Sequence, residues 1–263
     1  MSPTVDIGDA LTSGVERLAT RGGAILAVLY VAYQLVFQVF YQSAVVEVYR
    51  RYLPADVVEQ SAESLPFALD IPLVVSIVVV LLAMVGGVAL SLVALRALHE
   101  DINQFPTATH TRRLAAATGV GIVVNILTFI AVFVGLIFLF VPGLYIAISL
   151  MFALPFVALE DAGITDSLSR SWELATGHRW RLFFLGIILA VIGFVIGLVP
   201  GILSVLAPAV GQALSSVISG VTTVFSLAVL VTVYEQLTGG NAATADEPGT
   251  DAPGALGPDD LDA

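Results

Sequence analysis

The chain has 263 residues, 58% of them hydrophobic and only 12% charged, with a mean hydropathy of +0.98. Soluble domains are roughly 45–50% apolar and about 25% charged, so this composition excludes a water-soluble fold and makes lipid the solvent. The net charge of −11 excludes the basic footprint that nucleic-acid binding requires, and the absence of Cys excludes disulfides and thiolate metal sites.

All ten basic residues are Arg, and 21 are Asp or Glu. Excess acid without Lys suggests a halophile, whose proteins stay solvated at high salt. A helix that crosses a bilayer needs roughly 20 mainly apolar residues. The first such run covers 24–42 and follows Arg17 and Arg21. It exceeds a signal-peptide core of roughly 7–15 residues, and no convincing cleavage site follows it, so it reads as a retained helix. A polar segment from Glu47 to Asp70 separates it from a second run, 71–98. The connector from Glu100 to Arg113 contains Pro106, and the third run covers 114–140.

Val141-Pro142-Gly143 interrupts that run, because Pro removes a backbone donor and Gly permits a turn. A fourth run covers 144–159, a polar stretch from Glu160 to Arg181 follows, and a fifth run covers 182–199. Pro200-Gly201 repeats the Val-Pro-Gly break, and a sixth run covers 211–237. Residues 238–263 contain six acids, no basic residue and much Gly, Ala and Pro, so they read as a disordered acidic tail. The predicted fold is all-α, a polytopic transmembrane bundle of about six spans. With the N-terminus inside, eight arginines fall on the cytoplasmic side and only Arg50 and Arg51 outside, which predicts cytoplasmic termini in a plasma-membrane protein.

The segment from Ile164 to Trp180 is the most informative. Thr165 suits an N-cap, Asp166 the first turn and Gly177 the C-terminal cap. Leu168, Trp172 and Ala175 share one face, which predicts a short amphipathic helix in the membrane interface between spans 4 and 5. The only two tryptophans, Trp172 and Trp180, lie here with Arg170, Arg179 and Arg181. These five residues form a candidate contact surface for lipid headgroups or a protein partner.

Val141-Pro142-Gly143-Leu144-Tyr145, Phe152-Ala153-Leu154-Pro155, Glu160-Asp161, Ser171-Trp172-Glu173-Leu174 and Gly177-His178-Arg179-Trp180-Arg181 carry a family resemblance. Over about residues 135–185 the chain resembles multi-pass membrane proteins related to the membrane domain found beside some glycerophosphodiester phosphodiesterases. The resemblance implies a helical membrane domain without known role. In those relatives catalysis belongs to a separate barrel of roughly 250 residues, for which this chain has no room.

Polar residues inside spans carry a high energetic cost and invite a functional reading. Gln34, Gln38 and Gln42 recur along one face of span 1, and Asn125 lies within span 3. They suit interhelical hydrogen bonds or, in a transporter, substrate contacts. His99, His110 and His178 lack the spacing of a metal site. Small-residue stripes at Gly193/Gly197/Gly201, Ala83/Gly87/Ser91 and Gly211/Ser215/Ser219/Thr223 suit close helix packing within the bundle or in a homo-oligomer. With no catalytic or cofactor motif, the leading expectation is a non-enzymatic domain that associates with membrane lipids or other membrane proteins. A small-solute or lipid transporter is the alternative.

Overall fold

A computed structural model describes residues 5–100 and 111–245, and among them every regular element is helical. In chain order they are α1 (Ile7–Leu18), α2 (Arg21–Tyr52), α3 (Ala55–Glu63), α4 (Leu73–His99) and α5 (Leu114–Phe138). They continue as α6 (Phe140–Ser149), α7 (Ala153–Glu160), α8 (Ile164–Ala175), α9 (Arg179–Leu206) and α10 (Pro208–Ala245). Six segments are long and apolar enough to cross a membrane: α2, α4, α5, α6–α7 together, α9 and α10 through Gly239. The bundle is therefore the all-α, six-span architecture that hydropathy predicts. Six crossings put α1 and the end of α10 on one side, here termed the terminal side.

Two of the three short helices outside the apolar runs precede the second span. In α1, Asp6 caps the helix by accepting a 3.0 Å hydrogen bond from the Asp9 N–H. Its Ala10 and Gly14 are buried against α10, where a Cβ added to Gly14 would lie 2.7 Å from Val229. Ile7, Ala10, Leu11, Gly14 and Leu18 fall at helical spacing, a signal present in the sequence but too short to register as a span. The other, α3, sits in the polar loop after α2. That loop is held by span 1 itself: the Gln42 side chain accepts from the Phe67 N–H at 2.9 Å, and Ser43 Oγ accepts from the Leu69 N–H at 2.9 Å.

Both helix breaks differ from the Val-Pro-Gly expectation. The α5–α6 turn is at Leu139, which is extended at φ −162°, and Pro142 lies in the first turn of α6. Proline is harmless there because the first N–H groups of a helix have no intrahelical acceptor. Likewise Pro200 lies inside α9, which continues to Leu206; the break falls at Ala207, and Pro208 opens α10. A residue before proline is driven out of the helical region, and proline itself suits the first helical position. The sixth helix also runs past the expected boundary at residue 237, carrying 238–245 as further turns. Its Ala-rich end is compatible with helix propagation. The rest of the acidic tail lies outside the described residues.

The core is concentrated at the terminal side. Leu92, Leu95 and Leu98 of α4, Ala117 and Val124 of α5, Val157 of α7, and Val224, Ala228 and Val231 of α10 are all buried there with Leu26 of α2. Toward the other side α4, α5 and α9 turn large apolar side chains outward, as at Leu82, Phe138 and Val205. Lipid can solvate those surfaces.

The glycine stripes have unequal roles. Gly87 packs against α2, where an added Cβ would lie 2.4 Å from the Tyr33 hydroxyl, and Ser91 beside it accepts from Tyr30 Oη at 3.1 Å. Gly193, Gly197 and Gly201 instead meet no atom within 4 Å, so the expected packing stripe of span 5 faces open space. A further close approach lies outside these stripes: a Cβ on Gly143 would lie 2.5 Å from Leu136 Cγ and 2.6 Å from its backbone N. Gly143→Ala should therefore destabilise the α5–α6 hairpin by about 1–3 kcal/mol. Gly197→Ala should be neutral or stabilising by up to about 1 kcal/mol. Thermal unfolding of the two purified variants in one detergent checks the contrast.

Candidate functional site

The terminal-side ends of the spans are joined by a polar network, and the candidate contact residues lie at its edge. Span 4 is the starting point, because it is not one helix. Between Ser149 and Ala153 the backbone leaves the helical hydrogen-bond pattern, which frees donors and acceptors inside an apolar bundle. Helix α8 supplies the missing partners. Ser171 Oγ donates to the Ser149 carbonyl at 2.9 Å and accepts from the Phe152 N–H at 3.1 Å, and both serines are fully buried.

This contact sets the face that α8 presents. Ser167, Ser171 and Ala175 are buried, whereas Trp172 is exposed. The docked face is centred on the small residues, because only small side chains allow α8 to reach the break; of the expected face, Ala175 is buried and Leu168 packs against the core, while Trp172 turns outward. The helix starts at Ile164 with Gly163 as N-cap and no side-chain cap, so the cap lies two residues before the expected N-cap Thr165. Gly177 ends it at φ +88°, in the left-handed region that glycine favours.

The five candidate residues separate into two sets. Arg170 and Arg179 are committed within the fold. Arg170 pairs with Glu160, lies 3.7 Å from Asp166, and stacks over the Phe156 ring at 4.5 Å. Burial is the largest single influence and lowers the Arg170 pKa, but the bond to Glu160 and the charges of Glu160 and Asp166 together outweigh it and hold the guanidinium above its ordinary value. Glu160 also accepts from the Tyr234 hydroxyl of α10. Arg179 stacks on Tyr145 at 4.4 Å and on Trp172 at 5.0 Å, and its Nε donates to Ser149 Oγ at 3.0 Å. Trp180 and Arg181 face outward instead: Trp180 is 74% exposed, and Arg181 makes no ion pair or hydrogen bond among the described residues.

A second cluster ties α4 to its neighbours. Arg96 is 6% exposed; its Nε donates to the Ala158 carbonyl at 2.7 Å, Nη1 to the Arg112 carbonyl at 2.6 Å, and Nη2 to Asp161 at 3.0 Å. Asp161 is also paired with Arg112 and adopts φ +52° at the end of α7. Beside it, Glu235 joins Arg17 at 2.6 Å and His99 at 2.9 Å. His178 lies at the start of α9, and His110 lies outside the described residues. Among the described residues no three His, Asp or Glu are grouped to hold a metal.

The intramembrane polar residues are also divided. Gln42 is buried in the loop contact above, while Gln34 and Gln38 are half-buried along α2. Asn125 is exposed on α5, away from the glutamines. A groove of about 470 Å³ lies between α9 and α10, with Gly193 and Gly197 on one wall and Ser215, Ser219, Thr222 and Ser226 on the other.

A family described as a domain of unknown function, DUF7847, matches residues 5–237. No curated protein and no solved structure matches the chain. Replacing Ser171 by Ala should leave a buried N–H and C=O at the break unpaired and destabilise the protein by about 1–3 kcal/mol. Thermal unfolding together with amide exchange at Phe152 measures the loss.

Proposed function

The chain belongs to the DUF7847 family, and we propose that it is a non-enzymatic membrane domain that associates with anionic lipid headgroups at its terminal-side rim. The exposed Trp180–Arg181 pair at the root of α9 carries this reading. An indole and a guanidinium at the start of a span suit the headgroup layer, where the ring is half solvated and the cation meets phosphate. Behind the pair, Trp172, Tyr145 and Arg179 form a stacked base. Trp180 is further fixed by an edge contact to Phe183 at 6.1 Å.

The terminal side is cytoplasmic in this proposal, and the membrane is the plasma membrane. Eight arginines at the terminal-side ends against Arg50 and Arg51 at the other support that orientation. Kinship with the membrane domain beside some glycerophosphodiester phosphodiesterases belongs to the same proposal, and so does a halophilic source. The Ser-Trp signature of that resemblance corresponds here to Ser171 at the break and Trp172 on Arg179. A transporter reading has one observation in its favour, the hydroxyl-lined groove between α9 and α10. Flux through proteoliposomes would establish it.

Two measurements test the proposal. A Cys introduced at Asp56 should react with an impermeant reagent added outside intact cells, and one at Ser169 only after permeabilisation; the reverse pattern would invert the orientation. Arg181→Glu combined with Trp180→Ala should leave thermal stability within about 0.5 kcal/mol, as for other surface changes. The same variant should lose most co-purified anionic lipid, measured by mass spectrometry of lipid discs. Undiminished anionic lipid would remove the rim as the site. Turnover of a lipid by the purified chain would end the non-enzymatic reading.

A further inference from the structure

Asn125 is the twelfth residue of the 25-residue α5, about 17 Å from its start and about 20 Å from its end. It therefore lies close to the bilayer midplane. Its side chain is exposed and makes no hydrogen bond among the described residues. Its neighbours Ile126, Phe129 and Ile130 are exposed apolar residues, so the amide stands on a lipid-facing surface. Acyl chains offer neither donor nor acceptor, and an unpaired amide in hydrocarbon is strongly disfavoured.

The residues around it have a regular spacing. Ile122, Asn125, Phe129, Val132 and Leu136 follow the 3–4 alternation of a heptad seam, with Asn125 its single polar position; one heptad before Ile122 lies Ala115, and the position between them, Thr118, is buried within the chain. Ala115, Phe129 and Leu136 are exposed, and Ile122 and Val132 are partly so. Among the described residues the chain covers only the two ends of this line, where Thr118 is buried and Leu136 meets Gly143 of α6; the stretch from Ile122 to Val132 stays open to lipid.

We propose that α5 pairs with α5 of a second copy of this chain along the seam, with Asn125 bonded to Asn125 across a two-fold axis. The occupant follows from the amide itself. Its carbonyl accepts and its NH₂ donates, so one residue type meets both needs when it faces its own copy. Copies inserted in the same orientation place α5 parallel and Asn125 at equal depth, which a two-fold axis along the membrane normal requires. A single Asn in an apolar seam also fixes register, because any slip leaves two amides unpaired. The apolar positions supply packing, and Ala115 lets the backbones approach at the terminal-side end.

The absence of native Cys makes the test direct. Phe129→Cys and Leu136→Cys, on the seam, should give disulfide-linked dimers when membranes are oxidised. Leu127→Cys and Val134→Cys, exposed on the opposite flank of α5, should not. In parallel, energy transfer between labelled copies in bilayers should report self-association. Asn125→Leu should weaken it by about threefold to thirtyfold, the range expected for interhelical polar contacts. Cross-linking leaves Asn125 in place, so it stands independently of how that variant folds. Equal cross-linking on both flanks, association unchanged by Asn125→Leu, or a monomer at every protein density would each overturn the proposal.

Discussion

The buried guanidinium of Arg96 is the constraint on which the terminal side depends. A cation at a span end, almost without solvent, requires every nearby acceptor to be directed toward it. Here the acceptors come from three places: the last turn of α7, the backbone before α5, and the Asp161 carboxylate. One side chain thus fixes where spans 2, 3 and 4 end relative to one another. It also accounts for the left-handed conformation of Asp161, which terminates α7 while its carboxylate faces both Arg96 and Arg112. The Ala158 carbonyl, orphaned at the helix end, is satisfied by the same guanidinium.

From that clamp outward, polar bonding decreases and lipid takes over. Glu235 gathers Arg17 and His99, and Glu160 gathers Tyr234 and Arg170, so the amphipathic α1 and α8 are both fastened to the ends of spans. Beyond the buried leucines of α4 the helices separate, and the glycines of α9 face empty space. The division is energetic. Helices in hydrocarbon gain little from burying apolar side chains against each other, so close contact is kept where hydrogen bonds or small residues favour it.

The sequence made the six spans legible because each is a long apolar run, and lipid selects for that property alone. It located the helix ends less well. The Val-Pro-Gly tripeptides marked turns only approximately: proline is tolerated in a first helical turn, as Pro142 is, and within a membrane helix, as Pro200 is. The aromatic and basic residues around Trp172 were recognisable as a group, but not which of them are internally committed. That depends on the broken backbone at 150–152, which no local signal announces, since the partner of the break, Ser171, lies on a different helix. Arg96 was read as one charge among eight, because its burial depends on three segments meeting.

The divided fourth span bears on how the chain enters the membrane. Neither α6, with ten residues, nor α7, with eight, is long enough to cross a hydrocarbon layer of about 30 Å alone. The two cross only together, and the first half packs on α5 as a hairpin through the glycine contact at residues 135 and 143. The second half stays incompletely bonded until Ser171, made about twenty residues later, arrives from the ribosome. The final form of span 4 thus depends on a residue that follows it in the chain.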